Sequence, residues 1–160
     1  MNFLVVSDTH GDIAGLKTVV DRHRKDVGMV IHLGDFARDL DQSFMKGIEF
    51  VAVPGNMDGL TRTQRDLETL LEICGRKVLI THSDHLGTHY DLLKLEERCM
   101  EAGAEICLFG HTHRPYADSG RKPALFNPGA LGRRATGVTR PSYGILKLDE
   151  MLVDFEIRDL

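Results

Sequence analysis

The sequence predicts an α/β sandwich with mixed sheets, on three observations. Strand and helix patterns alternate through the first two thirds of the chain. The last third carries only short strand patterns joined by tight turns, and five early apolar runs each end in an oxygen or imidazole ligand. Strand–helix alternation calls for parallel pairing and tight turns call for antiparallel pairing, so the sheets should contain both. The carboxyl ends of parallel strands share one edge, where residues far apart in sequence converge. The 160 residues fit one domain spanning 1–160. At that length roughly 70% of the unfolded surface is buried, so a core forms without help from disulfides.

The first strand is Phe3-Leu4-Val5-Val6, followed by Asp8 and His10. Asp12 then caps an amphipathic helix whose Ile13, Leu16, Val19 and Val20 recur at helical spacing, and which is expected to run to near Gly28. Met29-Val30-Ile31 leads to Asp35, and Asp39 to Lys46 reads as a short helix. Phe50 to Val53 is a strand leading to Asn56, and Thr61 to Asp66 reads as a loop or helical turn. Alternation over Leu67 to Ile73, a turn at Gly75-Arg76 and Val78-Leu79-Ile80 make a hairpin ending at His82. Tyr90 to Ala102 is the strongest helical stretch, with Leu92, Leu93, Leu95, Cys99 and Met100, and Gly103 is placed to stop it. Ile106 to Phe109 leads to His111 and His113. Four short strands follow at Tyr116 to Asp118, Ala124 to Phe126, Tyr143 to Leu148 and Leu152 to Ile157, the last two joined at Asp149-Glu150.

A formal charge of -4 offers no field for gripping nucleic acid or anionic membrane. No apolar run approaches a membrane span, and the cytoplasm is the expected location. Cys74, Cys99 and Cys107 lack CxxC spacing and read as reduced, packed thiols. A homo-oligomer is compatible with the sequence.

The seven strand-end candidates are Asp8, His10, Asp35, Asn56, His82, His111 and His113. Asp8 and His10 are two apart, so a strand-like tail points both to one side. Gly34-Asp35 and Gly55-Asn56 each read alone as ordinary turn chemistry. Gly110-His111-Thr112-His113 is stronger, because two imidazoles beside a permissive glycine can each face a neighbouring ion. Recurrence after five separate strands turns these weak signals into a metal site. Oxygen and nitrogen ligands without thiolate suit manganese, iron or zinc. Two cations need a bridging anion, and Asp35 is the natural choice. Such a pair lowers the pKa of a bridging water and generates hydroxide for attack on phosphorus, which is phosphoester hydrolysis.

The motifs Asp8-Thr9-His10-Gly11, Gly34-Asp35, Gly55-Asn56-Met57-Asp58, Thr81-His82, Gly110-His111-Thr112-His113, Asn127-Pro128-Gly129 and Pro141-Ser142-Tyr143 resemble the calcineurin-like metallophosphoesterases, in particular their small YfcE-like branch. The resemblance implies a four-layer αββα sandwich with the site at the strand ends. It implies that Asp8, His10, Asp35 and His113 hold one metal, and that Asp35, Asn56, His82 and His111 hold the other. It also implies two divalent ions, manganese first, with iron, zinc, nickel or magnesium as alternatives, and a small phosphodiester or monoester substrate.

Three departures bear on catalysis. Met57 stands where many relatives carry a proton-donating His, leaving Asp58 as the nearest substitute, though a carboxyl beside two cations should be ionised. Without that acid, good leaving groups should react best, since general acid catalysis contributes roughly 10² to 10⁴ in rate. Relatives usually read Thr-His-Gly-His at Thr81 to Asp84, so Asp84, or His85 through a one-residue bulge, would line the cleft. Ala130 replaces a common Ser.

Outside these motifs, His23 reads as a solvated surface residue and His32 as a packed strand residue able to orient Asp35. His89 reads as surface. Arg133, Arg134 and Arg140 lie in a Gly-rich loop, either solvated or clamping substrate phosphate. On this reading the catalytic residues are Asp35, Asn56, Asp58 and His82, and the substrate contacts are Asn56, Asp84, His85, Arg133 and Arg134. Two other readings stand beside the phosphoesterase: a protein-interaction scaffold of the retromer-subunit type, and a nuclease, which the acidic balance disfavours.

Overall fold

The computed structural model describes residues 1–59, 67–89 and 91–160. Its first sheet comprises β1 (Asn2–Val6), β2 (Met29–His32), β3 (Phe50–Ala52), β9 (Ser142–Leu148) and β10 (Val153–Asp159), in the order β10-β9-β1-β2-β3. The second comprises β4 (Glu68–Ile73), β5 (Arg76–Thr81), β6 (Ile106–Phe109), β7 (Tyr116–Asp118) and β8 (Ala124–Asn127), in the order β4-β5-β6-β8-β7. Both sheets follow one plan. β1, β2 and β3 are mutually parallel in one sheet, β5, β6 and β8 in the other; β9, β4 and β7 flank them antiparallel, and β10 pairs antiparallel with β9.

Period-two alternation divides the apolar residues into layers. Phe3, Val5, Ile31 and Leu33 of the first sheet pack on Val78, Ile80, Leu108 and Phe126 of the second in one core between the sheets. Leu4, Val6 and Val30 point the other way, onto Leu16, Val19 and Val20 of helix α1 (Ile13–His23). Leu79, Cys107 and Leu125 point outward onto Leu95 and Cys99 of helix α2 (Leu93–Glu101). The layers are therefore α, β, β and α, as expected. All three cysteines are free thiols, Cys99 and Cys107 buried.

Several boundaries differ from expectation. α1 starts as predicted, with Asp12 Oδ1 accepting from the Gly15 amide at 2.9 Å, but stops at His23 rather than near Gly28. There the Asp26 and Val27 amides turn back onto the His23 carbonyl, and the Gly28 amide already pairs with Asn2. The helix expected over Asp39 to Lys46 is two 3-10 turns, Ala37–Leu40 and Ser43–Met45. Burial of both Leu40 and Met45 against the α1 layer leaves no room for a continuous helix. α2 begins at Leu93, where Asp91 Oδ1 accepts the Leu93 amide, and stops before Gly103, which is left-handed. The β4–β5 turn is Cys74-Gly75, both left-handed, one residue earlier than expected. The Thr61 to Asp66 segment and Tyr90 lie outside the described residues. Among the described residues no helix is long and apolar enough to cross a membrane.

Candidate metal centre

Five of the six parallel strands deliver donors just past their carboxyl ends: β1 gives Asp8 and His10, β2 Asp35, β3 Asn56, β5 His82, and β6 His111 and His113. The tails do not continue as strands. Asp8, His10, Asp35, His111 and His113 all have positive φ, between 45° and 68°. This left-handed region is uncommon for residues with a Cβ and costs on the order of 1–3 kcal/mol each, so surrounding structure must enforce it. Curling each tail after one or two residues turns its side chain inward over the sheet edge.

Neighbouring hydrogen bonds hold the tails. The Asp8 amide donates to the Gly34 carbonyl, and Asp8 Oδ2 accepts from Ser7 Oγ and, at 3.3 Å, from the His111 amide. Asp35 Oδ1 accepts the Met57 amide at 2.8 Å. A Cβ on Gly55 would lie 2.2 Å from Asp35 Oδ1, so only glycine allows this approach. A Cβ on Gly110 would lie 2.2 Å from Ser7 Oγ, which makes that glycine equally obligatory. Behind the rim, Nδ1 of buried His32 accepts the Gly34 amide, so its Nε2–H donates to Thr9 Oγ1, which in turn donates to Asp39 Oδ2. Burial pushes the His32 pKa down to about 4, consistent with this neutral ring. Asn127, at the end of β8, ties the His111–His113 turn by donating to the Gly110 carbonyl and Thr112 Oγ1.

The remaining lone pairs converge. His82 donates from Nδ1 to the Leu33 carbonyl at 2.7 Å, which leaves Nε2 as an acceptor 3.2 Å from Asn56 Oδ1 and 3.4 Å from Asp35 Oδ1. His113 donates from Nδ1 to the Thr136 carbonyl, turning Nε2 to within 3.1 Å of Asp8 Oδ1. Asp35 Oδ2 faces His10 Nε2 at 3.5 Å. Asp8 Oδ1 and His10 Nε2 are buried without a hydrogen-bond partner. Acceptors facing acceptors in a buried site are costly unless something positive lies between them. The donor atoms of Asp8, His10, Asp35 and His113 all lie within 4.8 Å of one another, an oxygen and nitrogen set that fits a divalent cation. Asp35 has one oxygen toward this group and the other toward His82 and Asn56. His111 stands beside His82, ring centroids 5.1 Å apart, as a further donor on that side.

The charges of these groups depend strongly on one another. Burial alone would raise the Asp8 pKa, but His113, His82 and Ser7 hold it below the ordinary carboxylate value. Burial raises that of Asp35 against the opposing pull of His82 and the Met57 amide. His111 is lowered to about 4 by burial and by His82 and His89, leaving a neutral ring able to donate a lone pair. His113 is raised by the Asp8 carboxylate.

The other expected site residues separate. Asp58 accepts the Ala37 amide at Oδ1 and the Gly55 amide at Oδ2, at 2.9 and 2.8 Å. Those bonds tie the loops carrying Asp35 and Asn56 together. Met57 is 54% exposed and lines the pocket as an apolar wall. The bulge envisaged for His85 does not form: Asp84–Leu86 is a 3-10 turn and His85 Nε2 faces Glu68 at 3.3 Å. Neither Asp84 nor His85 is among the described residues lining the metal pocket. Arg134 lines it, whereas Arg133 pairs with Asp12 at 3.1 Å.

His23 is buried rather than solvated, its Nε2 3.0 Å from the Tyr143 hydroxyl, because β9 packs its single large aromatic against the end of α1. His89 is exposed as expected, yet its ring lies 4.3 Å from that of His111 at the pocket lip. The sequence carries no local signal for that position, nor for the Thr136 carbonyl that orients His113.

Comparison with known proteins accords with this geometry. The calcineurin-like phosphoesterase superfamily domain matches residues 1–151. The chain is 34% identical over 150 residues to the "Probable metallophosphoesterase YsnB" of Bacillus subtilis, covering 93% of this chain and 85% of that one. It is 26% identical to the "Phosphodiesterase MJ0936" of Methanocaldococcus jannaschii, covering 94% and 95%. A predicted phosphoesterase from Streptococcus pneumoniae superposes with a TM-score of 0.80 at 27% identity, covering 99% and 88%. Vps29 from Entamoeba histolytica shares the fold, with a TM-score of 0.77 at 19% identity, covering 100% and 99%. With its seven strand-end donors gathered at one edge of an αββα sandwich, this chain belongs to the calcineurin-like phosphoesterase superfamily.

Proposed function

We propose that the chain is a metal-dependent phosphodiesterase acting on a small phosphoester with two divalent ions, manganese being the first to test. Asp8, His10, Asp35 and His113 would hold one ion, and Asp35, Asn56, His82 and His111 the other. The observation that carries this reading is the pair of buried atoms without a hydrogen-bond partner, Asp8 Oδ1 and His10 Nε2, together with the placement of Asp35, one oxygen toward His10 and the other toward His82, whose Nε2 lies 3.2 Å from Asn56 Oδ1. When bound, the ions would supply Lewis acidity toward the phosphoryl oxygens and an activated water.

The chain's own residues complete the site. The hydrogen bonds from His82 to Leu33 and from His113 to Thr136 fix both tautomers, so the metal-facing nitrogens remain unprotonated. Arg134 is placed to pair with a non-bridging phosphoryl oxygen, which orients the phosphorus. Met57 cannot donate a proton to the departing oxygen, so esters whose alcohols leave readily are favoured.

The test is metal-stripped protein reloaded with manganese and offered bis(p-nitrophenyl) phosphate, p-nitrophenyl phosphate and single-stranded DNA. The diester should turn over fastest and the DNA not at all. Manganese bound at two equivalents with no ester turned over would reject the enzyme and favour the interaction scaffold.

A further inference from the structure

Beside the metal pocket, of about 270 Å³, lies a larger groove of about 520 Å³, and His89 lines both. We infer that this groove holds one ester arm of the substrate and selects an uncharged, ring-bearing alcohol over an anionic one. The inference rests on the phosphodiesterase reading and names the substrate class for it.

Size is compatible with the assignment. The metal pocket lies at the lower edge of the usual small-molecule range and the groove well within it, so the groove offers room for a substrate arm leaving the first. With its ring centroid 4.3 Å from that of His111 and its side chain lining both the pocket and the groove, His89 stands where that arm passes, and either imidazole tautomer offers one N–H to it. Leu92, Leu93, which is 53% exposed, and Tyr116, backed by the Phe109 ring at 6.2 Å, form an apolar strip in a groove whose remaining lining is polar or charged. A planar ring can lie against the Tyr116 face.

Charge decides against a second anion. Among the described residues lining the groove the cation is Arg121, which is already paired with Glu96 and lies 3.5 Å from Asp118. Asp91 and Glu96 line it too, so the charged side chains among those described residues sum to net negative. A carboxylate or second phosphate on the arm would face that excess, whereas a neutral hydroxyl-bearing ring meets hydrogen-bond acceptors.

The test is calorimetric binding of three phosphomonoesters to the metal-loaded protein: methyl phosphate, phenyl phosphate and 4-carboxyphenyl phosphate. Phenyl phosphate should bind about 10-fold tighter than either of the others. Tyr116→Ala should bring phenyl and methyl phosphate to within about 3-fold, and Tyr116→Phe should restore the difference. Replacing Asp91 with Asn and Glu96 with Gln together should remove the discrimination against 4-carboxyphenyl phosphate. Equal affinity of the wild-type protein for all three overturns the subsite. So does discrimination that survives both the Tyr116→Ala and the paired carboxylate substitutions. Arm discrimination without turnover of bis(p-nitrophenyl) phosphate would overturn the catalytic reading and leave the subsite standing, and binding of none of the three would overturn both.

Discussion

The metal-facing rim and the groove beyond His89 share a wall but are built differently. Five of the seven rim side chains sit on left-handed tails at the ends of parallel strands, with Asp8, Asp35 and His82 buried and orientations set by backbone amides, carbonyls and two obligatory glycines. Groove side chains stand on the lead-in to α2 and on the edge strand β7, and their charges are held by surface ion pairs. Strained, buried geometry tolerates little change, so the rim commits the fold to one chemistry. Exposed pairs contribute little to stability, so the groove can vary and is where substrate choice belongs.

Four substitutions break or sharpen this contrast. Asp35→Asn, at the centre of the rim, should lower metal content and turnover together, turnover by on the order of 10³-fold, because a neutral amide bridges two cations poorly. Full metal occupancy by elemental analysis would show the bridge to be misplaced.

Next is a stability effect behind the rim. His32 is depressed to about 4 when folded and returns to its ordinary value when unfolded. The unfolded chain therefore takes up the proton first as pH falls. Stability is complete above pH 6.5 and declines toward pH 4, by up to about 3 kcal/mol. In His32→Asn, which keeps an acceptor for the Gly34 amide, this part of the decline should vanish from denaturant titrations of metal-free protein. Identical pH slopes would place the loss elsewhere.

Asp58→Ala removes the clamp between the Asp35 and Asn56 loops and should weaken metal affinity by about 10- to 100-fold, as loss of an orienting partner does. A competitive chelator titration reads this directly, and unchanged affinity would show that the two loops hold themselves.

Smallest are the arginines. Arg134→Ala should raise KM by roughly 3- to 10-fold with kcat little changed, the mark of lost uniform binding. Arg133→Ala, already paired with Asp12, should stay within about 2-fold. Reversal of that order would exchange their roles.

Much of the rim was legible in the chain. Phe3 to Val6, Met29 to Ile31 and Ile106 to Phe109 alternate or run apolar and end in candidate ligands, and the structure brings the donor atoms of Asp8, His10, Asp35 and His113 within 4.8 Å of one another, with His82 beside Asp35, Asn56 and His111. Both hairpins were visible in their turn residues. Less legible were residues whose neighbours come from distant segments. His23 lies on the helix side that reads as polar, yet Tyr143, 120 residues away, buries it. Asp58 follows a ligand motif and reads as chemistry, yet amides at Ala37 and Gly55 claim both its oxygens. The α1 end moved because β2 begins by pairing Gly28 with Asn2, an interaction between strands rather than a property of the helix.

The sequence by itself determined the strand order of donors, their chemical type and therefore the family of reactions, because apolar periodicity and hard ligands are local properties of the chain. Tertiary structure alone decided that five donors would be left-handed, that Arg134 and not Arg133 would face the pocket, and that His89 would join it to a groove. Those outcomes depend on the packing of two sheets across one core, which brings into contact segments whose mutual distance no local pattern encodes.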